Sequence, residues 1–247
     1  MEKHEWVYGI HAVKALLRHN PEAILELHVQ TGREDERLTD ILESVTALQL
    51  PHSLASRDDL DKMTGGAVHQ GIAALVKAFN REKHESFLQS LLKNLDHPPF
   101  ILILDGVTDP HNLGACLRSA EAAGVDAVII PKDKSVGVNA TVRKVSCGAA
   151  EILPVIAVTN LARTLQSLKD QGIWIMGLAG EAEQSLYQAD LTGPLALVMG
   201  SEGKGMRRLT RDYCDLLLSI PMAGEVSSLN VSVSTGICLF EAVRQRP

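Results

Sequence analysis

The chain has 247 residues, 45% hydrophobic and 22% charged, the balance of a folded globular protein and not of a disordered one. No apolar run reaches the roughly 18 residues that a bilayer-spanning helix needs, so no membrane-spanning helix is expected. The formal net charge of −6 excludes a uniformly basic surface and leaves only local cationic patches for a nucleic-acid partner.

The first residues are charged at once and lack the apolar core of a signal peptide. Residues 9–19 read as a helix from the spacing of Ile10, Val13, Leu16 and Leu17. Residues 24–29 read as a strand, 35–48 as a second helix and 72–76 as a short apolar strand. This is a small α/β domain over residues 1–77, with 8 Lys/Arg against 12 Asp/Glu. Residues 78–97 read as a polar linker with some helical character, closed by Pro98-Pro99, which cannot continue a helix.

From residue 98 to 247 the alternation is stronger. Strand-length apolar runs lie at residues 100–104, 127–130, 152–156, 173–176, 195–199 and 216–220. Helical segments fall at 113–123, 141–149, 160–171 and 207–213, and a last helix at about 232–244 closes the chain. Near-continuous apolar strands alternating with helices predict an α/β fold with a parallel sheet covered on both faces. Such sheets bind ligands in the loops beyond the carboxyl ends of their strands. The four cysteines (Cys116, Cys147, Cys214 and Cys238) form no C-x-x-C pair, which points to reduced thiols and a cytoplasmic setting.

Three of those loops carry unusual text. The first includes Asp109-Pro110-His111-Asn112-Leu113-Gly114, a turn into a helix with Asn112 read as its N-cap, and Arg118 six residues on. Asp105, Asp109 and His111 read as turn chemistry, not as a metal site. The second loop, Gly200-Ser201-Glu202-Gly203-Lys204-Gly205, has neither phosphate-loop nor dinucleotide spacing, but its glycines allow a ligand to approach the backbone closely. The third runs from Ile220-Pro221-Met222 to Ser227-Ser228-Leu229-Asn230, where Ser227, Ser228 or Asn230 serves equally well as a helix cap. No G-x-S-x-G elbow is present, which removes the serine-hydrolase reading.

Taken together, in order and each after a predicted strand, the three segments resemble the SpoU branch of the SPOUT RNA methyltransferases. Tyr8-Gly9-Ile10-His11 and Gly66-Ala67-Val68-His69-Gln70-Gly71 resemble the small substrate-binding domain that many of those enzymes carry, itself similar to ribosomal-protein-like RNA-binding folds. The resemblance implies S-adenosylmethionine-dependent methylation of a ribose 2′-hydroxyl. Within the family it is strongest to the enzymes acting on a guanosine of large-subunit (23S) ribosomal RNA in the peptidyl-transferase loop. It also implies a parallel-sheet catalytic domain with a carboxyl-terminal trefoil knot, and a homodimer whose active site is completed near the dimer interface. Cofactor contacts are expected at Gly200, Ile220 and Leu229, and the reacting centre at Arg118, Asn112, Glu202, Ser228 and Asn230.

Methyl transfer to a hydroxyl needs alignment and a place for the proton or the developing negative charge. Stripping a guanidinium of its proton near neutrality costs roughly 7 kcal/mol or more. Arg118 is therefore expected to act as an electrostatic organiser, with Glu202 and Asn112 orienting it. Local cations for RNA are expected in the groups Lys204, Arg207, Arg208 and Arg211, and Lys132, Lys134, Arg143 and Lys144; each group reads equally as a solvated face. Two other classes compete: a nucleotide-binding enzyme, which lacks the spacings, and a non-catalytic RNA-binding relative, against which the intact Arg118, Glu202, Ser228 and Asn230 count.

Overall fold

The computed structural model describes residues 4–33, 35–77, 82–83 and 85–246, and the chain divides into two compact units. The smaller comprises residues 1–80 and 139–152, the larger residues 81–138 and 153–247.

In the smaller unit, β1 (His4–Tyr8), α1 (Ile10–His19), β2 (Ile24–Gln30), α2 (Glu36–Ala47), β3 (His52–Ala55), α3 (Arg57–Thr64) and β4 (Ile72–Lys77) follow in turn. The sheet order is β1-β4-β2-β3, with β4 antiparallel to both β1 and β2 and only β2–β3 parallel. Val13 and Leu16 of α1 and Ile41 and Val45 of α2 pack on Val7, Leu27 and Ile72 of one sheet face, while Leu60 of α3 covers Tyr8 and Ala73 on the other. The two segments singled out in this unit meet. Gln70, in the left-handed region at φ 56°, accepts the amide of Ile10 at the start of α1 through Oε1 at 3.1 Å. His69 is buried: its Nδ1 accepts from the Gly71 amide at 3.0 Å, which leaves Nε2, 3.2 Å from Asp61, to carry the proton. It is a packing residue, whereas His11 is exposed.

The larger unit begins with β5 (Glu82–Lys83) and α4 (Glu85–Asn94), then β6 (Phe100–Asp105), α5 (Pro110–Ala122) and β7 (Ala127–Pro131). Next come α6 (Ala140–Val145) and α7 (Ala149–Ile152), which group with the smaller unit. After them come β8 (Val155–Val158), α8 (Leu161–Lys169), β9 (Trp174–Leu178), β10 (Gln184–Ser185), β11 (Leu195–Gly200), α9 (Arg208–Tyr213), β12 (Leu216–Ser219) and α10 (Val231–Gln245). The eight strands form one sheet of order β10-β12-β9-β11-β6-β7-β8-β5, parallel at every pairing.

The expected parallel sheet is what this unit contains, and the burial pattern shows why. Every residue of β6 is buried, because alternate side chains face opposite helical layers. Ile101 and Ile103 meet Leu88 of α4, Leu165 and Leu168 of α8 and the partly buried Tyr213 of α9. The opposite face, with Leu102 and Leu104, is covered by α5 and α10, which pack on each other and, through α10, on β11. β12 lies between β9 and β10, and the chain after it returns to dock α10 on α5. The end of α10 is held by Arg246, which donates to the carbonyls of Leu191 (3.0 Å) and Gly193 (2.7 Å) and lies over the Phe100 ring at 4.1 Å.

Several local expectations change. Asn112 does not cap α5. Asp109 does, accepting the His111 amide at 3.0 Å, because Pro110 supplies a ready first helical residue; Asn112 then falls inside the first turn. β1, β3 and α3 were not legible, since α3 buries a single apolar residue and so shows no periodicity. The stretch expected to be a linker contains α4, whose Leu88 is buried in the large core. Burial drives the thiols of Cys116, Cys214 and Cys238 up to about 11, 12 and 12, so all three stay protonated and unreactive near neutrality.

Arg143 is buried, 3% exposed, and donates to Glu5 at 2.6 Å and Glu151 at 3.4 Å, all within the smaller unit. It ties the excursion 139–152 to β1, and Gly148 adds a close approach: a Cβ there would stand 2.6 Å from that of Ala15. Removing one member of such a buried pair costs about 3–5 kcal/mol. Arg143→Met is expected to lower the urea midpoint of the smaller unit, followed by Trp6 fluorescence in a Trp174→Phe background; an unchanged midpoint would show that the pair does not hold the excursion.

In α10, Glu241 accepts from Arg244 at 2.7 and 2.8 Å and from Gln245 at 2.8 Å, and the guanidinium foremost pulls its carboxyl down to about 2. A depressed carboxyl contributes stability above its ordinary value near 4.5 and loses it as pH falls toward 2. Glu241→Gln should therefore flatten the loss of thermal stability between those pH values, read as Tm against pH.

Candidate active site

The site lies in the larger unit, where the carboxyl ends of β6, β9, β11 and β12 come together. From β6 the chain moves one way through β7 to β8, and later fills the other side with β9 and β11, so β6 and β11 flank a switch point of the kind that opens a crevice.

The loop after β11 is shaped by its glycines. Ser201 and Gly205 exchange backbone hydrogen bonds of 3.0 and 2.9 Å, closing a small ring that projects Glu202, Gly203 and Lys204. Gly203 and Gly205 take φ of 75° and 65°, and a Cβ at Gly200 would lie 2.1 Å from the Gly205 carbonyl carbon. No other residue fits at Gly200 without opening the ring.

On one side of this ring is a cleft of about 780 Å³, walled by the loops after β9, β11 and β12. Gly200, Ile220, Ser228, Leu229 and Asn230 all line it, together with the segment 178–181, which carries no sequence signature and was not anticipated. On the other side is a cavity of about 490 Å³ between the loops after β6 and β11, bordered by Asp109, Asn112, Lys134 and Lys204. The two share Ser201, Glu202, Gly205 and Val231 as a common wall.

Asn230 organises that wall. Its Oδ1 accepts from the Ser232 amide at 2.9 Å and the Ser232 hydroxyl at 2.6 Å, making it the N-cap of α10. Because Oδ1 is thereby assigned, Nδ2 is the atom that donates to Asn112 Oδ1 at 3.0 Å and to Glu202 Oε1. One side chain joins the three sequence motifs. The Asn112 Nδ2 and Glu202 Oε2 atoms make no hydrogen bond among the described residues.

A second tie stiffens the neighbouring cavity. Asp105, 1% exposed, accepts the Arg207 backbone amide at 2.8 Å and stands 3.3 Å from its Nε, while Arg207 Nη2 donates to the Asp133 carbonyl at 3.1 Å. The ends of β11, β6 and β7 are locked by one arginine.

Arg118 is the exception among the expected residues. It is exposed on α5, lines neither cavity and makes no hydrogen bond or ion pair among the described residues. It lies six residues, about 9 Å along the helix axis, beyond Asn112. The two cationic groups also separate. Arg143 is buried, Arg207 is paired with Asp105, Arg211 with Glu181, and half-buried Lys144 lies over the Tyr8 ring at 5.9 Å, which leaves exposed Lys132, Lys134, Lys204 and Arg208 without an ion pair among the described residues.

Comparison with known proteins covers nearly the whole chain. Residues 99–240 match the model of the SpoU rRNA Methylase family, and residues 6–82 match RNA 2′-O ribose methyltransferase substrate binding. The 23S rRNA (guanosine-2′-O-)-methyltransferase RlmB of Photorhabdus laumondii is 62% identical over 242 residues, 98% of each chain. The enzyme of that name from Escherichia coli K12 is also 62% identical, over 98% of this chain and 99% of its own. Among solved structures, an RNA 2′-O ribose methyltransferase superposes with a TM-score of 0.79 at 26% identity, covering 99% of this chain and 89% of its own. The SpoU methyltransferase AviRb from Streptomyces viridochromogenes, in complex with AdoMet, shares the fold with a TM-score of 0.80 at 23% identity, covering 98% and 90%. With a matched catalytic-domain model, a matched substrate-binding model and the three motifs brought to one wall, the chain belongs to the SpoU rRNA methylase family.

Proposed function

We propose that the chain transfers a methyl group from S-adenosylmethionine to the ribose 2′-hydroxyl of a specific guanosine in 23S ribosomal RNA, acting in the cytoplasm as a homodimer. The observation that carries this reading is the Asn112–Asn230–Glu202 hydrogen-bonded node in the wall shared by two cavities. Near-identity of length with 62%-identical enzymes of that named activity supports it.

The larger cleft fits the cofactor. It is loop-walled, and its volume falls within the range of small-molecule sites. Gly200, Ile220 and Leu229 would hold it, and when bound it supplies a methyl group on a sulfonium, activated for in-line displacement. The protein's own contribution is alignment, which supplies up to about 7–11 kcal/mol in favourable cases. Asn230 holds Asn112 and Glu202 at fixed positions, so the Asn112 amide and the second Glu202 oxygen meet the incoming hydroxyl without reorganisation. Glu202 is placed to take or share its proton, and Ser228 contributes a further hydrogen bond. Residues 1–77 form the RNA substrate-binding domain, 98–247 the catalytic domain, and Lys132 and Arg208 bind backbone phosphates.

Arg118 reaches the reacting centre through the homodimer. The outer face of α10 carries Val233 (50% exposed), Phe240 (49% exposed) and Val243, and the preceding loop adds Met222 and Val226, an apolar strip that a second copy would cover. α5, which bears Arg118, packs beside α10. In this arrangement the guanidinium of one subunit steadies the phosphate and the developing alkoxide in the other.

With labelled S-adenosylmethionine and unmodified 23S rRNA, a single 2′-O-methylguanosine is expected, and Asn230→Ala should lower the single-turnover rate about 10²–10³-fold. Absence of a methylated ribose would refute the activity. For the shared site, Arg118→Ala and Glu202→Gln proteins, each inactive alone, should regain about a quarter of wild-type activity when refolded together, because half the dimers then hold one intact site. No recovery, with mixed dimers demonstrated by mass spectrometry, would place Arg118 in its own chain's site.

A further inference from the structure

We infer that the 490 Å³ cavity receives the base of the target nucleotide, and that Asp109 reads its guanine edge. This rests on the guanosine methylation proposed above. The cavity shares Glu202 and Val231 with the cofactor cleft, so a base seated there leaves its own ribose at the wall where the Asn230 node stands.

The lining charges favour a heterocycle over a phosphate. Three carboxylates (Asp105, Asp109 and Glu202) face three cations (Lys134, Lys204 and Arg207), a formally neutral set that offers an anion no net attraction. Each carboxylate has one oxygen held: Asp105 by the Arg207 amide, Glu202 by Asn230 and Asp109 by the His111 amide. Asp105 is buried beside the Arg207 guanidinium and the second Glu202 oxygen meets the ribose hydroxyl, which leaves Asp109 Oδ2, on an exposed side chain, as the acceptor for the base. A carboxylate only accepts, and guanine alone among the four bases presents two adjacent donors, N1–H and the 2-amino group, free of an intervening acceptor. Adenine and cytosine each put a lone pair beside their amino group, and uracil flanks its single donor with two carbonyls. The opposite edge of guanine, O6 and N7, takes cations, and Lys134 and Lys204 border the same cavity without an ion pair among the described residues.

The cavity is also held in shape before anything binds. Arg207 joins its β6 and β7 borders, the Val136 amide donates to the Val107 carbonyl at 2.9 Å, and Asp109 is fixed as the N-cap of α5.

Asp109→Asn tests the assignment, because asparagine caps a helix as well as aspartate does but offers a mixed donor and acceptor in place of a pure acceptor. The substrates are two versions of a 23S rRNA fragment, one with guanosine at the target and one with inosine, which lacks the 2-amino group. Wild type should prefer guanosine by about 10–100-fold in kcat/KM, the worth of a hydrogen bond to a charged group. Asp109→Asn should lose that preference, mainly by falling on guanosine, while calorimetric S-adenosylmethionine affinity stays unchanged and reports an intact fold. A variant that keeps the wild-type guanosine-to-inosine ratio, or a wild type that treats the two alike, overturns the base pocket and leaves the methyltransferase reading standing. Methylation of neither RNA by a wild type that binds S-adenosylmethionine removes both.

Discussion

Asn230 holds the catalytic unit's three motif loops to one another. Its amide has two acceptors and two donor hydrogens to satisfy, and the structure satisfies them in three directions: backward into α10 through Ser232, across to Asn112 on α5, and across to Glu202 in the glycine ring. Each partner sits at the end of a different strand or the start of a different helix. A side chain so fully engaged has a single orientation, and the loops it joins share that rigidity. The two cavities on either side of the wall thus keep fixed positions relative to each other, which is what a transfer between two bound molecules needs.

The framework beneath makes that engagement possible. β6 and β11 are buried along both faces by α4, α8 and α9 on one side and by α5 and α10 on the other, so their carboxyl ends move little. Asp105 emerges from β6 already deprived of water and is matched by Arg207, a pairing whose geometry also draws in the loop after β7. Gly200 lets the ring after β11 fold back on the strand end at a distance no side chain tolerates. In the smaller unit Arg143 plays the comparable part, a buried cation gathering β1 and the 139–152 excursion around itself.

Some residues read in the sequence as chemistry turned out to be architecture, and the reverse. Arg143 stood in a group that read as RNA contacts or a solvated face, and His69 in a segment resembling a substrate-binding domain; both are buried in hydrogen bonds or ion pairs. Asn112 and Asp109 exchanged parts: the proline between Asp109 and His111 starts the helix earlier, so Asp109 caps it and Asn112 is released to face the glycine ring. Arg118, the most conspicuous residue of its motif, stands outside the pockets of its own chain, beside an apolar helix face. A motif specifies residue types and spacing, and neither contains the second copy of the chain that the homodimer reading requires.

The amino-acid sequence by itself determined the local and the periodic. Continuous apolar runs gave buried parallel strands, the glycines at 200, 203 and 205 gave a loop able to approach a ligand, and three motifs in register gave the family. Short or weakly amphipathic elements such as α3 and β3 stayed hidden, because an element that buries one residue leaves no period to read. Only the tertiary structure decided that Asn112, Glu202 and Asn230, up to 118 positions apart, form one hydrogen-bonded node, and that the wall they build separates two cavities. Strand order sets which loops are neighbours, and strand order is a property of how distant segments pack, not of any segment alone.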